Sequence, residues 1–334
     1  MQLINSRKRN FLGIILLLTS LVSCGKGCLS DKEKSPHVLD FMPESTELIM
    51  NVNIDKVMQN PLGQIFQKEA PEAWKKWAAH FSYLSIAFEK DKNTGDPEPT
   101  VVAIKTKEAP STVLQSTKEF AKAIGEDFDL QEEKYSDITL YVEKSELDQS
   151  DPPAFAFLGD HLVIADKSIL KKAIDTLHEK LPSASKNQKL VNALKNVDTK
   201  KDIWALALIS EESLQDLKKR SGNPMFDVPD LKAFSIELDY PQDLNLSLGI
   251  WAQDAAAAQS FTKQLNAALD LFGPQAKKEF PQSQKTIESL KIIAQEDRVT
   301  LSASFDKELM EEAKQGLEKA MQEAFKKFED KIKQ

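Results

Sequence analysis

Residues 154–165 read AFAFLGDHLVIA, two apolar runs on either side of Gly159-Asp160. A two-residue connection joins strands only as antiparallel neighbours, because a parallel pair needs a crossover of a dozen residues or more. The chain must therefore build an antiparallel sheet. The same logic recurs along it. Tyr83 to Glu89, the turn DKNTGDPEP and Thr100 to Lys105 form one strand pair. Lys232 to Leu238, the turn DYPQD and Leu244 to Trp251 form another, and Lys291 to Ala294 pairs with Arg298 to Ser304.

Helices alternate with these hairpins. Leu114, Phe120, Ala121 and Ile124 recur at helical spacing, as do Phe261, Leu265, Ala268, Leu269 and Phe272. Ser111, Asp166 and Asp306 stand where an oxygen can satisfy the free N–H groups of a helix start. The order of elements occurs twice. Thr46 to Met58 and Lys201 to Leu214 each run from strand to helix, and each is followed by hairpin, helix, hairpin and helix. The expected fold is α+β, two similar modules of antiparallel sheet with helices on one face, in tandem duplication. The expected boundaries are a signal peptide at 1–23, a lipidated tether at 24–42, a first module at 43–182, a linker at 183–197 and a second module at 198–334. An additional strand, Ile138 to Glu143, belongs to the first module.

The N-terminus constrains location. Arg7, Lys8 and Arg9 precede an apolar run of about a dozen residues, short of the roughly 20 that span a bilayer as a helix. Such a run after a positive start marks an export signal. Its exit, Leu21-Val22-Ser23-Cys24, resembles the lipobox of bacterial lipoproteins. The resemblance implies cleavage before Cys24 and acylation of that residue. It also implies the outer membrane in a host with two membranes, since Gly25 and not Asp follows the cysteine. Several acyl chains on one residue hold a protein to a membrane surface. Cys28, the second of two cysteines, is then left without a partner for an intrachain disulfide. It is an inert tether residue, a second acyl site or an intermolecular thiol.

Charge excludes one class of partner. The chain carries 44 Lys+Arg against 52 Asp+Glu, a formal net charge of −8. Loss of the three signal cations, with no acids, takes it to −11. Interspersed, net-acidic charge is unsuited to nucleic acid.

The search for chemistry finds no motif. His37, His80, His161 and His178 are far apart, with no Cys or Glu at metal-ligand spacing. The turn at 91–99 places Gly95 fifth and Val102 twelfth, where a calcium loop needs Gly sixth and Glu twelfth. The acids Glu126, Asp127, Asp129, Glu132 and Glu133 read as a solvated loop. No Gly-rich phosphate cradle or G-x-S-x-G is present. No enzyme, metal or cofactor is expected.

Two apolar features are candidate partner or ligand surfaces. Trp74, Trp77, Ala78 and Phe81 fall on one helical face, which a buried core would also use. A C-terminal stripe runs Leu309, Ala313, Leu317, Ala320, Met321, Ala324, Phe325, Phe328 and Ile332, with Phe325 and Phe328 set among Lys326, Lys327, Lys331 and Lys333. The opening PESTELIMNVN and the overall plan resemble uncharacterised bacterial envelope proteins. The expected function is a lipid-anchored envelope protein with a binding or structural role, its partner an envelope protein or an apolar ligand. The alternative is a carrier or chaperone for an apolar ligand such as a lipid, in a cavity lined by Leu84, Ile86, Phe88, Phe155 and Phe157. An enzyme of no recognised type stands third.

Overall fold

The structure, a computed structural model, describes residues 37–90, 97–123, 129–144, 150–221, 229–241, 243–281 and 284–305. The first half contributes β1 (Leu48–Asn53), β2 (Phe81–Lys90), β3 (Pro97–Thr106), β4 (Leu130–Tyr135), β5 (Ile138–Glu143), β6 (Pro153–Leu158) and β7 (His161–Asp166). The second contributes β8 (Ile203–Leu208), β9 (Leu231–Asp239), β10 (Leu244–Ala252), β11 (Lys291–Gln295) and β12 (Arg298–Phe305). Every pairing among them is antiparallel. The fold is α+β, as the hairpin turns require. Gly159 takes a positive φ of 62° in the two-residue turn, and Leu158 pairs with His161 across it.

The strands do not form two sheets. They make one, in the order β11-β12-β10-β9-β8-β1-β2-β3-β7-β6-β5-β4. The seam is β1 against β8, from Leu48 opposite Ala207 to Val52 opposite Ile203. The topology repeats on either side of it. A first strand is followed outward by a hairpin and then by a second hairpin entered from its far strand, so β1, β2, β3, β7 and β6 correspond to β8, β9, β10, β12 and β11. The first half adds β4 and β5 at its edge. β4 reads LQEEKY, and nothing in that charged pattern announces a strand. Its charges suit an exposed edge, where they discourage pairing with another chain.

Helices lie on both faces of the first half, not on one as expected. On face A, Ile49, Ala87, Val101, Ala103, Leu140 and Val163 pack under α5 (Lys167–Leu177), α6 (Gln188–Leu194) and two 3-10 turns, Val38–Asp40 and Ala184–Lys186. On face B, Val52, Leu84, Ile86, Val102 and Ile104 pack under α1 (Ile54–Val57), α2 (Pro61–Glu69), α3 (Glu72–Ala78) and α4 (Pro110–Ala123). The reason is visible in the strands. β1, β2, β3 and β7 are apolar on both sides of the pleat, so both sides must be covered.

The second half carries α7 (Glu211–Ser221), α8 (Ala255–Glu279) and α9 (Gln284–Ser289). Asp254 caps α8 through the Ala257 N–H at 2.8 Å, and Asn187 caps α6 through Leu190 at 3.2 Å. Two expected caps differ. Pro110, not Ser111, opens α4, where its missing N–H is one the helix start leaves unpaired anyway. At α5 the Ser168 N–H is satisfied by Asp151 at 2.8 Å, although Asp166 occupies the cap position. Asp306 and Ile124 lie outside the described residues.

The tether is shorter than expected, since Leu39, Phe41 and Met42 are buried. The linker at 183–197 is equally integrated. Ala184 donates its N–H to Met42 at 2.8 Å, Asn187 reaches the Glu44 carbonyl at 3.0 Å, and Leu190 and Ala193 are buried on face A.

Candidate functional site

Trp74, Trp77 and Phe81 are not a surface. Trp74 is 1% exposed and Trp77 5%. Trp77 stacks on Phe120 at 5.2 Å, meets Phe81 edge-on at 4.8 Å and donates its indole N–H to Thr117 at 3.0 Å. Phe81 opens β2 and does not belong to the helix. Leu84, Ile86 and Phe155 are buried in the same core, with Phe88 and Phe157 packed against it. The five residues expected to line a cavity thus form the filled contact between sheet and helices. Cys24, Cys28, Glu126, Asp127, Phe325 and Phe328 lie outside the described residues. Asp129 pairs with Lys144 at 2.7 Å and Glu133 with Lys167 at 2.6 Å, while Glu132 and Glu133 belong to β4 and not to a loop.

The histidines are dispersed. His80 faces Glu108 at 3.2 Å, His178 faces Asp137 at 3.2 Å, and the His37 ring accepts from Leu39 at 3.3 Å. His161 lies on face A against the edge of Phe41, and burial pushes its pKa below the ordinary value, with Asp160 at 2.8 Å opposing. Among the described residues no group of three or more His, Cys, Asp or Glu is placed to hold a metal. No helix among them is long and apolar enough to cross a membrane.

Two buried polar clusters occur in the second half. On face A, Arg298 crosses the sheet over Gly249. It donates to Glu237 at 2.7 Å, to Ser235 at 3.4 Å and to the Asn196 carbonyl, with its guanidinium 4.7 Å from the Trp251 ring centroid. Glu237 also accepts from Ser235 at 3.1 Å and from the Asp198 N–H at 3.3 Å. This cluster pins the chain entering β8 to the sheet. Beside the seam, Asp202 accepts from Asn60 at 3.3 Å and from the Tyr240 N–H at 3.1 Å, with Lys56 at 3.7 Å. Burial raises its pKa. Asp239, held by Lys201 at 3.0 Å, is shifted down despite its own partial burial. The charged groups of both clusters are paired and tie segments together, while the buried Arg298 Nε and Trp251 indole N–H have no hydrogen-bond partner among the described residues.

The candidate site is face B of the second half. Strand alternation places Phe234, Ile236 and Leu238 of β9 there, beside Leu246, Leu248 and Ile250 of β10 and Leu301 and Ala303 of β12. These positions correspond to Leu84, Ile86 and Phe88 of β2 and to Val102 and Ile104 of β3. The first-half set is covered. The second-half set is covered only in part. Only Ala252, Ala258 and Val299 are fully buried in the cluster where α8 meets the sheet, through Phe261, Leu265 and Ile250. Phe234 is 38% exposed, and Ile236, Leu238, Leu246 and Leu248 are half-buried. The opposite face of the same strands carries Ser235, Glu237, Ser247, Thr300 and Ser302, with Ala233 and Trp251 as its buried apolar residues. Further apolar surface lies on the distal part of α8 and just beyond it, at Leu271, Phe272 and Phe280, all about half exposed or more. This site was present in the sequence as alternation in LKAFSIELD and LNLSLGIW. Its exposure was not, because an uncovered apolar face and a covered one have the same pattern.

A family model described as a protein of unknown function (DUF3352) matches residues 72–284. The chain belongs to this family. The match runs from α3 to the first residue of α9, so it takes in strands of both halves of the sheet and leaves out β1, β11 and β12. No curated protein matches the chain. Among solved structures the chain is similar to crystal form III of TP0453, with a TM-score of 0.46 at 12% identity, covering 81% of this chain and 94% of that one. Crystal form IV gives 0.46 at 12% identity, over 85% and 96%, and form I gives 0.43 at 12%, over 81% and 92%.

Proposed function

We propose that this family member is an exported lipoprotein, held at an envelope membrane through acylated Cys24, and that it acts by binding an apolar ligand or partner rather than by catalysis. The observation that carries the binding role is the contrast between the halves. One topology repeated on both sides of a seam has a covered face B in the first half and a half-open one in the second. Burying apolar area contributes about 25 cal/mol per Å². Leaving Phe234 and its neighbours half-exposed forgoes that gain, and contiguous exposed apolar surface is characteristic of interaction sites. The buried polar clusters support the non-catalytic role, because their charged groups are paired with residues of their own fold. The lipobox supports the anchor, and no more of the chain bears on it.

Two measurements test this. Cys24→Ser releases the protein from membranes and abolishes the acylated N-terminal mass. Unchanged membrane association removes the anchor. Native mass spectrometry of the mature protein, purified gently from its own membranes, shows a bound apolar mass that Phe234→Glu with Ile236→Glu diminishes. A ligand retained by that double variant places the site elsewhere. The acylated chain alone, with neither ligand nor partner, refutes the binding role.

A further inference from the structure

We infer that residues 306–334 are the built-in occupant of face B of the second half, an internal competitor for the binding proposed above and resting on that assignment of the face. Four observations point there. The chain leaves β12 at Phe305, whose register opposite Leu244 puts its side chain on face B. The segment that follows repeats Leu309, Ala313, Leu317, Ala320, Ala324 and Phe328 at intervals of three and four, one apolar stripe at helical spacing. Face A of the same strands offers Ser247, Thr300 and Ser302, which gain nothing from an apolar stripe, and its apolar residues Ala233 and Trp251 are already buried. A helix of this length runs about 43 Å, whereas the nine residues of β10 span about 30 Å. One pass of the segment therefore reaches the full length of the face.

The comparison with the first half excludes the simplest alternative. There the segment after β7, the counterpart of β12, becomes α5 and buries Leu170, Ala173 and Ile174 on face A, against β6 and β7. That face is apolar in the first half and mostly polar on β9, β10 and β12, where its apolar residues Ala233 and Trp251 are already buried. The stripe after β12 has the same topological origin, but on that side Ile293 alone among the described residues is a large exposed apolar residue, while an apolar surface stands half-open on the other.

The experiment uses the full-length protein with Cys28→Ser, purified from its membranes. One thiol is placed on face B (Leu248→Cys) or, as control, on face A (Ser247→Cys). A second is placed at Leu309, Leu317 or Ala324. A short bismaleimide is added at low protein concentration. Docking raises the local concentration of the paired thiols, so intrachain cross-links from position 248 exceed those from 247 on the order of tenfold for at least one stripe position. Equal yields, no cross-link, or links mainly between chains overturn the inference, the last by making a second copy the occupant. In parallel, Leu317→Asp with Phe325→Asp in the full chain raises the fluorescence of a bound anilinonaphthalene sulfonate several-fold. Unchanged fluorescence also overturns it. Failure here is separable from failure of the binding role: intrachain links with no co-purified ligand preserve the occupant and remove the ligand, and a ligand without such links does the reverse.

Discussion

Gly249 provides a sharp energetic test of the structure. It sits mid-strand in β10, where glycine is usually unfavourable by about 0.5–1 kcal/mol relative to alanine. Here a Cβ would stand 2.5 Å from the Arg298 Nη2, 2.6 Å from its Nε and 2.6 Å from the Ser235 Oγ. The guanidinium must move, and it is the partner of Glu237, whose side chain is 6% exposed. Removing one member of a buried ion pair costs about 3–5 kcal/mol. Arg298 is 20% exposed and Glu237 keeps Ser235 and the Asp198 N–H, so the loss is smaller, about 2–3 kcal/mol. Displacement from the Trp251 ring adds about 0.5 kcal/mol. Gly249→Ala is therefore destabilising by about 2–3 kcal/mol in urea unfolding followed by circular dichroism. The decisive comparison is Arg298→Ala. In that background the contacts with the guanidinium are gone and only the Ser235 Oγ, at 2.6 Å, must turn aside, so Gly249→Ala costs markedly less than in the parent protein. Equal effects of Gly249→Ala in both backgrounds would refute the reasoning.

Three further outcomes are expected. Trp74→Ala costs about 3–5 kcal/mol of stability and Phe234→Ala less than about 1, and the opposite ranking in denaturant melts would overturn the assignment of covered and open faces. His161 is held neutral by burial, so its folded pKa lies below the unfolded one; the unfolded chain binds the extra proton, and stability is lost as pH falls through about 6.5 toward the lower folded value. Unfolding at pH 7.5, 6.5 and 5.5 shows this decline, His161→Gln flattens it, and an unchanged slope in the variant counts against it. A fragment ending at residue 197 loses β8 and exposes β1 as an apolar edge, so it sediments as dimers or larger species; a monodisperse monomer would show that the seam is dispensable.

The antiparallel class was legible because Gly159-Asp160 leaves no other connection between its flanking strands. The repeat was legible as an order of elements, although Leu84 and Phe234 share neither identity nor environment. The joining of the halves into one sheet was not legible. The β1–β8 contact links residues about 150 apart through backbone hydrogen bonds, which carry no side-chain signature. The second helical layer was missed for a related reason: strands such as TVVAIK are apolar throughout, and only both-sided burial explains that pattern. Trp74 and Trp77 were ambiguous because a helical stripe is the same whether covered or bare. The open face was hidden by the same degeneracy, and only comparison of equivalent strands exposes it.

The seam has a consequence of symmetry. An antiparallel pair of equivalent strands lies on a two-fold axis, so two separate copies of one half would meet through the same strand and form a homodimer with a continuous sheet. In such a dimer every substitution appears twice, and an opened apolar face on one subunit is an opened face on both. In a single chain whose halves are connected through residues 183–197 that constraint is absent. One half can then specialise as rigid support while its sibling gives up packing for recognition.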